Sequence, residues 1–414
     1  YQRSIEQSSI TLNNGVGENY IWDNILTYKN NFGEDHDLTL IAGTSFRDEY
    51  GRNFGASGNF SPESSFVRNN DKTWYIQNTS PDSRTAYDGG FRNYGFSYFG
   101  RAEYQLMDKY LLNLSFRAEG TNKYDETYVY LPAIGLGWEI SKESFMDNVD
   151  FVNFLKLRAS WGRVANDAVG ASNPLSANSI TTVFNDTFYN GIEFETVEDD
   201  ISWEFTDELN IGLSAYLFDN RLSLEADYFV KDTDNLVINV LQFIGTGSSR
   251  QNVGGVRNKG IELAATWRGQ FSDDFSYSIS GNFSTLDNEI TSLAGQPVLE
   301  TGTAEARQRI IVGQPINVFY GWEIDGVYQN EAEILADPAA QAAIAQGTDI
   351  SPGYFRYKDR NGDGILDAED RTYLGSPIPT FYYGGNIGLN YKDFDLNIAF
   401  YGQGGNVIFN SNRQ

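Results

Sequence analysis

The stretch LSLEADYFVK, residues 222–231, decides the fold of this chain. Apolar side chains take every second position in it: Leu222, Leu224, Ala226, Tyr228 and Val230. The positions between them begin with Ser223, Glu225 and Asp227. Successive side chains of a β-strand point to opposite faces, so this spacing predicts a strand with one apolar face and one polar face.

The same alternation recurs along the chain. It is clear in YLLNLSFRAEG (110–120), FLKLRASWGR (154–163), GIELAATWRG (260–269) and FDLNIAFYGQ (394–403). Several of these strands are much longer than the roughly five or six residues that are usual in globular proteins. We predict about twelve strands, near residues 20–29, 37–47, 94–106, 110–120, 128–140, 153–164, 201–218, 222–232, 252–268, 276–288, 380–391 and 394–403.

The connections distinguish a membrane barrel from a soluble sandwich, because both have alternating strands. MDK (107–109), DNR (219–221) and KD (392–393) are short turns. The intervening connections are mostly long, near residues 48–93, 165–200, 233–251 and 289–379. Short turns on one rim and long loops on the other are typical of outer-membrane barrels. The sequence therefore predicts an all-β, antiparallel transmembrane β-barrel over residues 1–414, with short periplasmic turns and long extracellular loops.

In such a barrel the apolar face of each strand meets lipid and the polar face meets the interior. The residues that we expect to face lipid are Leu112, Leu114, Phe116, Leu222, Leu224, Leu396 and Ile398. The residues that we expect to face the interior are Arg117, Arg158, Glu225 and Asp395.

Composition excludes several other classes of function. Asp and Glu number 56 against 30 Lys and Arg, giving a net charge of −26, and such a surface repels nucleic acid. There is no cysteine and a single histidine, His36, which argues against thiolate chemistry, multi-histidine metal sites and histidine-based triads. We expect no enzymatic activity.

Residues 289–379 are predicted to form one elaborate extracellular loop. The stretch RIIVGQPINVFYGW (309–322) resembles a further strand. If this stretch crossed the membrane as a full strand, the segment that follows it would lie on the rim of short turns. We therefore place it inside the loop.

An Asp-rich stretch within this loop, DRNGDGILDAED (359–370), has the spacing of a calcium loop. Oxygen ligands at alternate positions and a glycine at the sixth suit a hard cation. The candidate ligands are Asp359, Asn361, Asp363, the carbonyl of Ile365, Asp367 and Asp370. The flanks read as extended chain and not as helices, which argues against an EF-hand. We expect a structural Ca²⁺ or Mg²⁺; the alternative is a metal-free turn, in which Asn and Asp bond their own backbone.

Five stretches in order resemble one family. They are LKLRASWGRVAND (155–167), ISWEFTDELNIGLSAYLFDNRLSLEADYF (201–229), GGVRNKGIELAATW (254–267), VGQPINVFYGWEIDGVYQN (312–330) and the run from PGYFRYKDRNGDG to FYGQGGN (352–406). The chain is similar to the barrel of SusC-like TonB-dependent outer-membrane transporters of the Bacteroidetes type. The resemblance implies a 22-stranded barrel, an N-terminal plug domain and a TonB box. We find neither plug nor TonB box in these residues, and expect the chain to be part of a larger transporter.

The resemblance also implies a function. We expect TonB-dependent active import of an oligomeric nutrient across the outer membrane of a Gram-negative bacterium, with glycan fragments as the first choice of substrate and peptides as the second. The implied partners are a SusD-like surface lipoprotein, the TonB complex and membrane lipid. The alternative is a soluble, calcium-stabilised adhesin or carbohydrate-binding protein.

Overall fold

The computed structural model describes residues 8–60, 74–124, 128–168, 175–184, 187–196, 201–241, 248–303 and 306–410. In chain order the strands are β1 Ser9–Asn31, β2 His36–Asn59, β3 Thr85–Leu106, β4 Tyr110–Thr121, β5 Tyr128–Glu139, β6 Val152–Asn166, β7 Leu175–Phe184, β8 Thr187–Thr196, β9 Glu204–Leu217, β10 Leu222–Leu241, β11 Ser248–Ser272, β12 Phe275–Thr285, β13 Asp287–Leu293, β14 Leu299–Gly302, β15 Arg307–Ile310, β16 Val318–Trp322, β17 Ile324–Val327, β18 Phe355–Tyr357, β19 Arg371–Gly375, β20 Phe381–Tyr391 and β21 Phe394–Gly404. Two helices, α1 Glu331–Ala336 and α2 Pro338–Ala345, lie between β17 and β18.

The chain divides into two compact units. The first comprises Tyr1–Lys29, Thr39–Ala102 and Ser115–Leu131. Its strand segments pair in the order β1-β2-β3-β4-β5. The second comprises Asn30–Leu38, Glu103–Leu114 and Pro132–Gln414.

In the second unit the strands from β5 onward pair in the order β5-β6-β9-β10-β11-β12-β20-β21, with β13 also paired to β11. Consecutive strands are antiparallel neighbours, as in a meander. Each of the twelve strands predicted from alternation overlaps a strand of these two orders. The fold class is confirmed as antiparallel β-structure of a barrel family.

Two of the connections predicted to be long are shorter in the structure. β2 continues to Asn59 and β3 begins at Thr85, so only part of 48–93 connects them. β10 continues to Leu241 and β11 begins at Ser248, so most of 233–251 is strand. Strict alternation of apolar and polar residues does not continue through these extensions, so the pattern did not reveal them.

The residues between β13 and β20 form small sheets of their own. β14, β15, β16 and β19 make a four-stranded sheet, and β17 pairs with β18. Within the stretch 309–322 the structure has the end of β15 and the short strand β16, both in the four-stranded sheet. Tyr328, Ile334 and Ala340 form a local core with Ile350. No helix in the described part of the chain is long and apolar enough to cross a membrane.

α1 and α2 owe their position to two caps. Asn330 accepts a hydrogen bond from the backbone N–H of Glu333 at 3.1 Å, and Asp337 accepts one from Ala339 at 3.0 Å. Pro338 stands at the first position of α2, where its missing N–H and fixed φ do no harm. The caps and the proline divide the sequence here into two short helices.

Candidate functional site

The polar face of the second unit carries an ion pair that spans three strands. Arg158 on β6 lies opposite Gly212 on β9, and Gly212 lies opposite Asp227 on β10. Arg158 Nη2 donates to Asp227 Oδ2 at 2.5 Å, and its Nη1 donates to Ser214 Oγ. A Cβ at position 212 would collide with Asp227 Oδ1 and lie 2.5 Å from Arg158 Nε. Glycine is therefore required for the arginine to cross β9.

A cavity of about 760 Å³ lies on the same polar face. Its polar lining residues are Glu225, Asp227, Glu262, Asn282, Ser284, Tyr382, Tyr401 and Gln403. They come from β10, β11, β12, β20 and β21, which the register places side by side. Tyr401 is 93% exposed. This surface is hydrophilic and acidic, as suits the wall of a water-filled passage.

The opposite face of the same strands is apolar and exposed. One row runs through paired positions of successive strands: Leu157, Leu213, Ala226, Leu263, Phe283 and Tyr383. A second row contains Leu222, Trp267, Ile279, Ile387 and Ile398. Leu263 is 45% exposed and Phe283 is 42% exposed. Soluble proteins rarely expose a continuous apolar band of this kind, whereas lipid-facing strands require one.

Different side chains mark the two ends of this apolar band. Near the short turns, exposed rings cluster, with Phe271 5.4 Å from Phe275 and Phe151 5.9 Å from Phe218 between centroids. Near the other end, Arg163 pairs with Asp207 through two hydrogen bonds of 2.8 and 2.6 Å. Aromatic rings and ion pairs beyond an apolar stretch are typical of the two interfaces of a membrane span.

The predicted lipid-facing and interior sets fall on opposite faces wherever the register tests them. Leu222 and Ile398 share the second apolar row, and Leu224 lies opposite Ala215 and Ala265 on that face. Glu225 lies on the other face, where its carboxylate is 3.6 Å from Arg158. Leu114 and Leu396 are 42% and 52% exposed. Arg117 donates to Ser97 at 2.8 Å within the first unit.

The Asp-rich loop is organised by hydrogen bonds to its own backbone. Asp359 Oδ1 accepts from the N–H of Gly362 at 2.6 Å, and Oδ2 accepts from Gly364 at 2.7 Å. Both glycines have φ near +75° to +79°, in the left-handed region that glycine enters without strain. One carboxylate therefore closes the first half of the loop.

Asp370 closes the second half. It is fully buried and accepts hydrogen bonds from the backbone N–H of Asp367 at 2.9 Å and of Arg360 at 2.8 Å. The N–H of Asp367, followed by those of Arg360 and Asn361, holds the pKa of the Asp370 carboxyl below its usual range, and burial opposes this shift. Backbone amide dipoles of the loop thus stabilise the charged Asp370 carboxylate at its centre.

The remaining candidate ligands make local bonds. Asp363 accepts from the N–H of Ile365 at 2.8 Å, and Asn361 accepts from the N–H of Asp363 at 3.0 Å. Asp367 accepts from the N–H of Glu369 at 2.7 Å. Within the described residues, no three acidic or histidine side chains are gathered as a metal cluster. Metal binding at this loop stays a prediction from the sequence.

Comparison with known proteins places these observations in a family. Residues 2–301 match the family model described as TonB dependent receptor-like, beta-barrel. TonB-dependent receptor P26 of Formosa agariphila is 31% identical over 405 residues, which are 94% of this chain and 39% of that protein. TonB-dependent receptor SusC of Bacteroides thetaiotaomicron is 28% identical over 347 residues, 79% of this chain and 32% of that protein. The chain thus spans about two fifths or less of the length of these relatives.

Solved structures show the same fold. The structure of the RagAB peptide transporter matches 94% of this chain and 41% of its own, with a TM-score of 0.76 and 22% identity. The RagAB peptide importer in its open-open state matches 96% of this chain with a TM-score of 0.76 and 21% identity. At these identities the likeness concerns the fold alone.

Proposed function

Because this chain belongs to the TonB-dependent receptor-like β-barrel family, we propose that it forms part of the barrel of a SusC-type importer in the outer membrane of a Gram-negative bacterium. The single observation that carries the proposal is the pairing of two unlike faces on one set of strands. An exposed apolar band backs directly onto an acidic polar face. Such a sheet separates lipid from water.

The proposed substrate is an oligomeric nutrient, with glycan fragments as the first choice and peptides as the second. A hydrophilic passage wall that carries Glu225, Asp227 and Glu262 beside tyrosine and amide side chains tolerates either class. The RagAB proteins are named as peptide transporters, which supports keeping peptides as the second class. No residue of the polar face is assigned a substrate contact.

The proposed partners are a SusD-like surface lipoprotein and the TonB complex. Residues 289–379 would form the surface that meets the lipoprotein outside the cell. Their small sheets, two helices and Asp-rich loop make a folded platform larger than a simple turn. The energy for import would come from TonB acting on the whole protein.

The soluble adhesin is the less favoured alternative. An adhesin has no use for two apolar rows that cross six and five strands and expose side chains such as Leu263, Ile279 and Phe283. We propose no enzymatic role, because the described polar face offers no arrangement of groups that we can assign to a reaction.

Membrane fractionation and uptake would test the proposal. The full-length protein should sediment with outer membrane and require detergent for release. Cells that express it should accumulate labelled oligosaccharide or peptide, and an uncoupler or loss of TonB should abolish the accumulation. Recovery in the soluble fraction, or uptake that is indifferent to TonB, would contradict the proposed function.

A further inference from the structure

A cavity of about 740 Å³ lies within residues 289–379. Its floor is helix α2, which presents Ala342 and Ala343, and one wall is the Asp-rich loop at Ile365 to Asp367. Alanine side chains leave open a space that larger residues would fill. The volume falls within the range of roughly 300–1,000 Å³ that is usual for small-molecule sites.

Aromatic rings form a second wall of this cavity and are held in place. The centroids of Trp322 and Tyr357 are 6.0 Å apart, and those of Tyr357 and Phe355 are 6.4 Å apart. Trp322 Nε1 donates to the carbonyl of Asp367 at 2.6 Å, and the Arg371 guanidinium lies 4.4 Å from the indole centroid. Phe355 remains 49% exposed. A ligand would therefore meet rings that need little further ordering.

Polar groups at the cavity are free to bind. Among the residues that the structure describes, the side chains of Gln346 and Thr348 have no hydrogen-bond partner. Asp349 accepts only a long contact of 3.5 Å from Ser351 Oγ. No lysine or arginine is among the described residues that line the cavity. The lining residues thus offer ring faces, an amide, a hydroxyl and carboxylates, and the Arg371 guanidinium, which lies against the indole of Trp322, is not among them.

We propose that this cavity captures the end of a neutral oligosaccharide at the outer surface, which rests on the proposed function and selects glycans from its two substrate classes. The C–H face of a pyranose would lie on the aromatic wall, because apolar contact with a flat ring suits both partners. Its hydroxyls would donate to Asp349 and exchange hydrogen bonds with Gln346 and Thr348. Carboxylates at Asp349 and Asp367 disfavour uronic acids and sulfated sugars.

Binding to the purified full-length transporter would test the inference. The probes are fluorescently labelled neutral hexaoses: maltohexaose, cellohexaose, laminarihexaose, mannohexaose and xylohexaose. At least one should bind, and Phe355→Ala and Ala343→Phe should each weaken its affinity by about tenfold or more. The matched control is Leu335→Ala, an exposed residue of α1 that does not line the cavity. It should change affinity less than about twofold. Unchanged melting temperatures would show that the variants fold.

Three results would overturn the inference. The first is the failure of all five hexaoses to bind. The second is equal hexaose affinity of Phe355→Ala and the wild type. The third is that Phe355→Ala loses binding of the lipoprotein or of a hydrophobic hexapeptide and keeps hexaose binding. TonB-dependent uptake, measured in the same cells, separates the two proposals. Uptake that persists without cavity-dependent capture would refute only the subsite. Capture without any TonB-dependent uptake would refute the importer.

Discussion

Arg158 and Asp227 form an ion pair of 2.5 Å across an intervening strand, over the backbone of Gly212. The pair joins β6 to β10 on the polar face, although the two strands share no backbone hydrogen bonds. A charged link of this kind fixes the relative position of three strands where an apolar core is absent.

Gly212→Ala should therefore destabilise the sheet. The added Cβ collides with Asp227 and forces Arg158 away, and overpacking of this sort costs about 1–3 kcal/mol. The free energy of unfolding can be measured by urea denaturation in lipid vesicles. Gly388→Ala is the matched control, since its Cβ would meet nothing closer than 3.9 Å. Equal stability of the two variants would show that the glycine is not needed for this contact.

The two faces can be compared at neighbouring positions of β11. Leu263 lies on the apolar face and Ala264 on the polar face, and both are exposed. Leu263→Arg should cost about 2–4 kcal/mol of stability in a bilayer if the site lies near its midplane, and Ala264→Arg should cost far less. Folding yield into vesicles and urea midpoints would measure the difference. If Ala264→Arg were the more destabilising variant, the face assigned here to lipid would be the one that faces water.

Calcium binding by the Asp-rich loop has a direct test. Ca²⁺ should protect residues 359–370 from proteolysis, and Asp363→Ala should lose the protection because a ligand oxygen is removed. Glu369→Ala removes an acidic side chain outside the ligand positions and serves as the control. Calorimetric titration would give the affinity for Ca²⁺ and Mg²⁺. Proteolysis that is the same with Ca²⁺ and with chelator would establish the metal-free turn.

Acidification should open the same loop. The pKa of Asp370 is lower in the folded loop than in an unfolded chain, because backbone N–H groups of Asp367, Arg360 and Asn361 bind the carboxylate. The stability that the charged Asp370 carboxylate gives the loop is therefore complete above the pKa that this group has in the unfolded chain. It is lost as the pH falls through the lower pKa of the folded loop. The protection of the Asp367 and Arg360 amide N–H groups, measured as the exchange rate relative to the intrinsic chemical rate at each pH, should therefore fall as the pH drops through the folded pKa of Asp370.

Asp370→Asn provides the comparison for this pH dependence. An amide has one acceptor oxygen and no charge, so the variant loop should exchange faster at neutral pH and change less on acidification. Wild-type exchange that follows the ordinary chemical pH dependence throughout would show that the carboxylate does not hold the loop.

The sequence by itself located the twelve strands that alternation predicts, though not their full lengths, and determined the faces on which their residues lie. The alternation in residues 222–231 predicted that Leu224 and Glu225 point in opposite directions, and the register confirms this. It is a local property, since each residue of a strand reverses the direction of the side chain whatever its neighbours are. Family resemblance came from the same local stretches and is confirmed by the family match over residues 2–301.

Only the tertiary structure decided which residues meet. Arg158 and Asp227 are 69 positions apart, and nothing in either stretch marks Gly212 as the residue between them. The extensions of β10 and β11 were missed because the alternation of apolar and polar residues stops before them, and only their pairing with each other shows that they are strands. In the Asp-rich loop the sequence supplied the carboxylates, but their hydrogen bonds depend on how the backbone turns at Gly362 and Gly364. The sequence thus determines which side chains can form hydrogen bonds and ion pairs, and the folded backbone determines which of them come close enough to do so.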